Sequence, residues 1–186
     1  MADDRKKIVM TTIGVISDTH GCLAPQAYAA LADCDHIIHA GDIGGLEIIR
    51  ELETLAPVCA VLGNNDHPDD YPASIGRFAR PVIDGVRFLV AHYPRDVRIN
   101  YAGSSALSPG DPIPAVCIHG HTHAPKLEWG KAAYPAQYLL NPGSATRPRS
   151  GAHRTIARIL IEDGSVAGAR VETFSGDAVL AMGKLA

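Results

Sequence analysis

The chain is poor in aromatic residues, has no excess of positive charge and contains no long uninterrupted apolar run. Phe, Trp and Tyr together make up 5% of its 186 residues, so a core has to be built from aliphatic side chains. A formal net charge of −3 leaves no electrostatic footprint for nucleic acid, and no polybasic run marks an anionic membrane surface. An anionic substrate would have to be held by local positive charge, such as metal ions. No stretch approaches the roughly 20 apolar residues of a membrane-spanning helix. The four cysteines, Cys22, Cys34, Cys59 and Cys117, form no C-x-x-C pair. They read as small buried hydrophobes in a reducing compartment rather than as a disulfide framework, and the expected location is cytoplasmic. Arg5-Lys6-Lys7 before an apolar run has a faint look of a signal peptide, but no small-residue cleavage site follows. A first core strand is the expectation there.

What is present suits one domain, residues 1–186, without internal repeats or low-complexity tracts. Five short runs rich in Val and Ile each end in polar residues. Residues 8–16 end in Ser-Asp-Thr-His, 36–40 in Gly-Asp, 58–62 in Gly-Asn-Asn-Asp, 86–91 in His92, and 115–118 in His-Gly-His-Thr-His. Such runs are expected to be buried strands. Helical patterns at 25–32 and 46–56 separate the first three, which predicts an α/β fold with parallel pairing. Functional groups in such sheets gather at the carboxyl ends of the strands. Residues 155–174 alternate around Asp163-Gly164 and predict an antiparallel hairpin. Residues 94–114, with four prolines, read as a loop over the strand ends.

The polar residues at those strand ends are Asp18, His20, Asp42, Asn64, His92, His121 and His123. They are the hard and borderline ligands that Mn²⁺, Fe²⁺, Zn²⁺ or Co²⁺ accept. Seven are too many for one ion with open positions, whereas two ions sharing a bridging carboxylate fit the count. If the backbone stays extended, Asp18 and His20 point to one face, as do His121 and His123. His119 joins them only if Gly120 does not bend the chain. Taken singly, Asp42 could instead cap the helix from Leu46, and Asn64-Asn65 could be a turn.

In order along the chain, "SDTHG" (17–21), "AGDIGG" (40–45), "GNND" (63–66), "VAHYP" (90–94), "IHGHTH" (118–123) and "LNPGS" (140–144) resemble the motifs of calcineurin-like metallophosphoesterases. They are most similar to the small bacterial and archaeal YfcE-like phosphodiesterase branch. The resemblance implies two mixed β-sheets packed face to face and flanked by helices. It implies two divalent ions, manganese first, with iron, nickel, cobalt, zinc and magnesium as further candidates. Asp18, His20 and His123 would hold one ion, Asn64, His92 and His121 the other, and Asp42 would bridge them, leaving His119 out. The implied activity is hydrolysis of a small phosphodiester by metal-activated hydroxide, and a homo-oligomer is compatible with it.

Family branches that cleave monoesters commonly carry "GNHE", whose His is thought to protonate the leaving oxygen. Here Asn65 stands in that place and cannot act as an acid. Activated aryl or cyclic diesters are therefore expected over alkyl ones, and His67 is a candidate substitute acid. Arg95, Arg98, Tyr101, Arg147 and Arg149 could meet the substrate or simply lie in solvent. Two other readings stand beside this one. The first is a non-catalytic scaffold with the same fold, like the metallophosphoesterase-like subunit of retromer. The second is a nucleotide-directed phosphomonoesterase or pyrophosphohydrolase.

Overall fold

Alternation of apolar residues along the strands lays out the architecture. We describe residues 10–99, 106–108, 110–149 and 151–186 of a computed structural model. The elements run β1 Met10–Ile16, α1 Pro25–Ala30, β2 His36–His39, α2 Leu46–Glu53, β3 Val58–Ala60, β4 Phe78–Ala79, β5 Val82–Ile83, β6 Val86–Ala91 and α3 Pro94–Val97. They continue with β7 Val116–Ile118, β8 Lys126–Trp129, β9 Tyr138–Asn141, β10 Thr155–Glu162, β11 Ser165–Thr173 and β12 Ala178–Gly183.

Two mixed sheets result. One has the order β12-β11-β10-β1-β2-β3, with β1, β2 and β3 parallel and the others antiparallel. The other has the order β4-β6-β7-β9-β8, with β6, β7 and β9 parallel and β5 paired to β6. Ile13 and Val15 of β1 face Phe88 and Val90 of β6 and Val116 and Ile118 of β7 across the sheets. The intervening residues face outward: Ile16 packs with Leu31, Ile48, Ile49 and Leu52 under α1 and α2, and Leu89 and Cys117 form a third cluster. Each fully buried Ile or Phe contributes about 1.5–3 kcal/mol. Gly14 lies where α1 crosses closest, and a Cβ there would meet the Cys34 Sγ at 2.9 Å and also strike Leu31.

Several expectations need correction. α1 and α2 end at Ala30 and Glu53 instead of continuing to 32 and 56. The segment from residue 94 is not loop throughout: Pro94, a good first residue for a helix, opens α3. There Asp96 is buried and bound by Arg77 at 2.9 Å. Strands β4, β5, β8, β9 and β12 are added. All four cysteines are free, but Cys22 is exposed and Cys59 half-buried, because Cys22 lies in the loop after β1 and Cys59 on the edge strand β3. Burial pushes the Cys59 thiol up to about 11 and that of Cys117 to about 12. No helix among the described residues is long and apolar enough to cross a membrane.

Candidate metal centre

The parallel register brings the carboxyl ends of β1, β2 and β3 beside those of β6 and β7. The loops leaving β1 and β2 then pair. The amides of Asp18, His20 and Gly21 donate to the carbonyls of Gly41, Asp42 and Ile43 at 3.0, 3.0 and 2.8 Å. His92 stitches the second sheet to the first, its Nδ1–H donating to the Ala40 carbonyl at 2.8 Å and its own carbonyl accepting from Gly120 N–H at 3.1 Å.

All seven residues picked from the sequence converge. His123 Nε2 lies 3.1 Å from Asp18 Oδ1 and 3.4 Å from His20 Nε2. His20 Nε2 is 4.0 Å from Asp42 Oδ2, and His92 Nε2 is 3.5 Å from Asp42 Oδ1. His121 Nδ1 stands 3.0 Å from Asn64 Oδ1. Asp18, Asp42 and His92 are buried, the other three histidines are half-buried and Asn64 is exposed, so the cluster floors an open cleft. One ligand atom from each of Asp18, His20, Asp42 and His123 fits within a span of 4.8 Å.

The extended-strand argument for their common facing does not hold. Asp18, His20, Asp42, His121 and His123 have φ of 56°, 46°, 53°, 67° and 56°, in the left-handed region. Such backbone is costly for residues other than Gly and gathers at functional sites. Among the described residues the two further non-Gly examples, Asp84 and Asp163, both precede a glycine. The chain bends at His121 and Thr122 instead of at Gly120, where a Cβ would strike Ser17 Oγ and meet Asp18 Oδ2 at 2.8 Å. His119 turns inward, buried, with its Nδ1 at 2.9 Å from the Gly120 carbonyl, and burial pushes its pKa down to about 4. Asp42 does not cap α2, whose N-cap is Gly45.

The donor inventory tests whether a cation fits. His123 Nδ1 faces the Arg147 carbonyl at 2.7 Å, so by this network it carries the proton and Nε2 presents a lone pair to Asp18. Asp18 Oδ1 and His92 Nε2, 4.0 Å apart and buried, have no hydrogen-bond partner. Acceptors therefore face acceptors, an arrangement that a divalent cation resolves.

The pKa shifts agree. Burial raises that of Asp18 against the Ser17 hydroxyl and the His92 and His123 rings, which lower it. Burial would raise Asp42 as well, but His92 and the amides of Asn65 outweigh it and hold the carboxyl far below the usual range. Burial lowers His20 and His121, which favours the neutral ring that metal binding requires. For His92, burial is outweighed by the Asp42 carboxylate, by the hydrogen bond to the Ala40 carbonyl and by the Asp18 carboxylate, which raise its pKa.

Asn65 donates through its backbone N–H to Asp42 Oδ1 at 2.9 Å and through its amide to Oδ2 at 2.6 Å. His67 is exposed at the start of a 3₁₀ turn, and among the described residues no contact joins it to the cluster. Tyr101 lies outside the described residues. Arg95 rests over the Tyr93 ring at 4.4 Å, and Tyr93 in turn meets the edge of His121, with ring centres 4.6 Å apart. Arg98 lies 3.9 Å from Glu128, away from the cluster.

Sequence reasoning missed two supporting residues. The Asp66 carboxylate accepts the N–H groups of Ile43, Gly44 and Gly63 at 3.1, 2.9 and 2.7 Å and the Tyr71 hydroxyl at 2.9 Å. It clamps the Asp42 loop to the Asn64 loop. The signal was an acid closing the Gly-Asn-Asn turn, opposite glycine amides in need of an acceptor. His39, fully buried, accepts from Gly41 N–H at 3.2 Å and faces the Thr19 hydroxyl at 2.9 Å. Nothing in an apolar run marks such a histidine.

The motif order, the two sheets and this cluster agree with the matches to known proteins. The profile of the calcineurin-like phosphoesterase superfamily domain matches residues 11–164. The chain belongs to the calcineurin-like phosphoesterase superfamily. It is 40% identical over 147 residues to a probable metallophosphoesterase of Methanothermobacter thermautotrophicus, covering 74% of this chain and 78% of that protein. A protein of Methanocaldococcus jannaschii named a phosphodiesterase is 31% identical over 147 residues, 70% of this chain and 82% of its own length. Among solved structures, the phosphoesterase YfcE of E. coli superposes with a TM-score of 0.67 at 20% identity, covering 92% and 98% of the two chains. Vacuolar protein sorting 29 of Cryptosporidium parvum does so at 0.66 and 16%, covering 94% and 99%. These two establish the fold. A separate cavity of about 580 Å³, lined by Leu46, Ile49, Val58, Tyr71 and Ile75 among others, holds none of the seven residues.

Proposed function

We propose that the chain is a divalent-metal-dependent phosphodiesterase with a dinuclear centre. Asp18, His20 and His123 would hold one ion, Asn64, His92 and His121 the second, and Asp42 both. The observation that supports this is the pair of buried atoms Asp18 Oδ1 and His92 Nε2, which meet inside the cluster with no hydrogen-bond partner. Divalent ions there would supply Lewis acidity to the non-bridging oxygens of a phosphate and lower the pKa of water. Manganese is our leading candidate, and the free thiols suit a cytoplasmic setting.

The protein's own groups shape the substrate range. Asn65 gives its backbone N–H and one amide N–H to Asp42, so it orients that carboxylate, and an amide is no acid for a leaving oxygen. His67 stands apart in solvent. A site without a positioned acid favours diesters whose leaving groups depart as weak bases, aryl or cyclic esters above alkyl ones. The rival readings, a scaffold resembling vacuolar protein sorting 29 or a phosphomonoesterase, are weaker. Every ligand position holds a competent side chain, and no acid serves a monoester.

Hydrolysis of bis-p-nitrophenyl phosphate, with and without Mn²⁺, Ni²⁺, Co²⁺ and Mg²⁺, tests the proposal. Metal-dependent turnover exceeding that on p-nitrophenyl phosphate is expected. No turnover with any metal would turn us to the scaffold, and a faster monoester to the phosphomonoesterase. His67→Ala is expected to leave the pH profile as it is.

A further inference from the structure

We propose that Arg147 and Arg149 form a subsite for a second anionic group, so that the substrate is a phosphodiester bearing an additional phosphate. The inference rests on the phosphodiesterase reading.

The segment carrying both arginines is pinned to the rim of the metal centre. Ser144 Oγ accepts from the N–H groups of Thr146 and Arg147 at 3.2 and 2.9 Å and donates to the Asp18 carbonyl at 3.1 Å. The Thr146 hydroxyl donates to the same carbonyl at 2.8 Å. The Arg147 carbonyl receives the His123 Nδ1–H at 2.7 Å, and Arg149 N–H returns to the His123 carbonyl at 3.4 Å. Pro148, between the two, fixes its own φ. The backbone is thus anchored to two residues of the cluster while both side chains are exposed.

Their charges are unspent. Arg77, Arg95, Arg98, Arg158 and Arg170 each have a carboxylate partner. Among the described residues neither Arg147 nor Arg149 has one; Arg50, Arg80, Arg87 and Arg154 also lack one, but of these six it is Arg147 and Arg149 whose backbone is bonded to His123. The centre does not need them for a simple diester. Two divalent ions over Asp18 and Asp42 already leave a surplus of positive charge for one phosphate monoanion. Two further guanidinium forks, a geometry suited to phosphate, fit a second anion on the same molecule.

The test uses a matched pair: the p-nitrophenyl ester of thymidine 5′-phosphate, and the same ester carrying a 3′-phosphate. In both, water adds across the P–O bond and p-nitrophenol leaves, so the ratio of their kcat/KM values isolates the extra phosphate. A ratio of about tenfold favouring the 3′-phosphate is expected, from charge-assisted hydrogen bonds at an exposed site. It should fall with added salt. The double variant Arg147→Ala/Arg149→Ala should bring the ratio close to one, and Arg147→Lys/Arg149→Lys should keep part of it. A ratio near one in the unaltered protein, or one that survives the double Ala variant, overturns the subsite. Binding of thymidine 3′,5′-bisphosphate relative to thymidine 5′-phosphate, by calorimetry on the metal-loaded protein, reads the same subsite without turnover. Lack of any diester hydrolysis would therefore sink the enzymatic reading while the binding ratio still judged the arginines.

Discussion

The first sheet carries buried charge at two places, with opposite arrangements. At the carboxyl ends of β1 and β2, Asp18 and Asp42 face histidine lone pairs and, in part, nothing. On β10 and β11, the buried Glu172 lies between Arg158, at 2.5 Å, and Arg170, and Arg158 also reaches Asp33 at 2.8 Å and the Ala30 carbonyl. In the second cluster every charge meets its opposite within the chain, even though Arg170 Nε and Glu172 Oε2 make no hydrogen bond, and its work is to hold α1 against the sheet. In the first, the two carboxylates have no Arg or Lys beside them among the described residues, and a divalent cation would supply the balance. Burying charge is costly in both, and a folded chain keeps an unbalanced cluster only where something outside it supplies the balance.

Substitutions should separate the two clusters. Asp42→Asn is expected to lower metal-dependent turnover of bis-p-nitrophenyl phosphate on the order of 10³–10⁴-fold. Urea unfolding of the metal-free variant should also show a loss of stability, because the lowered pKa of Asp42 means that the fold favours its charged form. Glu172→Gln should act on stability alone. It leaves Arg170 without a carboxylate and Arg158 with Asp33 only, and should cost about 3–5 kcal/mol in urea unfolding. Turnover per folded molecule should be retained. Equal effects of the two changes on both readouts would erase the distinction.

Manganese gives the next largest effect. Free Mn²⁺ at a hundredfold its dissociation constant should stabilise the protein by about 2.7 kcal/mol. The gain should vanish in Asp42→Asn and persist on top of the loss in Glu172→Gln.

The most gradual effect is on pH. Burial holds the His39 ring, under the metal centre, down to about 4. The unfolded chain takes up a proton near pH 6.5 that the folded state refuses. The His39 contribution to stability is therefore full above pH 6.5 and is lost as pH falls toward 4, by at most about 1.4 kcal/mol per pH unit. Urea unfolding of the metal-free protein across that window, with His39→Gln as the flattened control, checks it.

Much of the site was legible because its side chains follow apolar runs. A run rich in Val and Ile that stops at Asp18, Asp42 or His92 marks a strand end, and strand ends of a parallel sheet meet on one side. The paired sheets followed from the motif order, and the hairpin of β10 and β11 from Asp163-Gly164. Strands β8 and β12 were not legible because their residues are exposed too often for an apolar run to stand out, and β9, although buried, is only four residues long with two aliphatic side chains. Asp66 escaped because its partners are backbone amides of another loop, which a linear reading cannot pair with it. His39 escaped because its role lies in what it touches, Thr19 and Gly41, and not in its residue type.

By itself the sequence determined which donor atoms this protein has, carboxylates, imidazoles and one amide, and that they stand at the ends of strands. Residue type and hydrophobic spacing are local properties, and a linear string carries them in full. Only the tertiary structure decided which atoms face one another. The left-handed turns at Asp18, His20, Asp42, His121 and His123 set the side-chain directions, and they are held by contacts between loops far apart in the chain. The cost of such backbone is borne by the packed sheets around it, which no single stretch of residues contains.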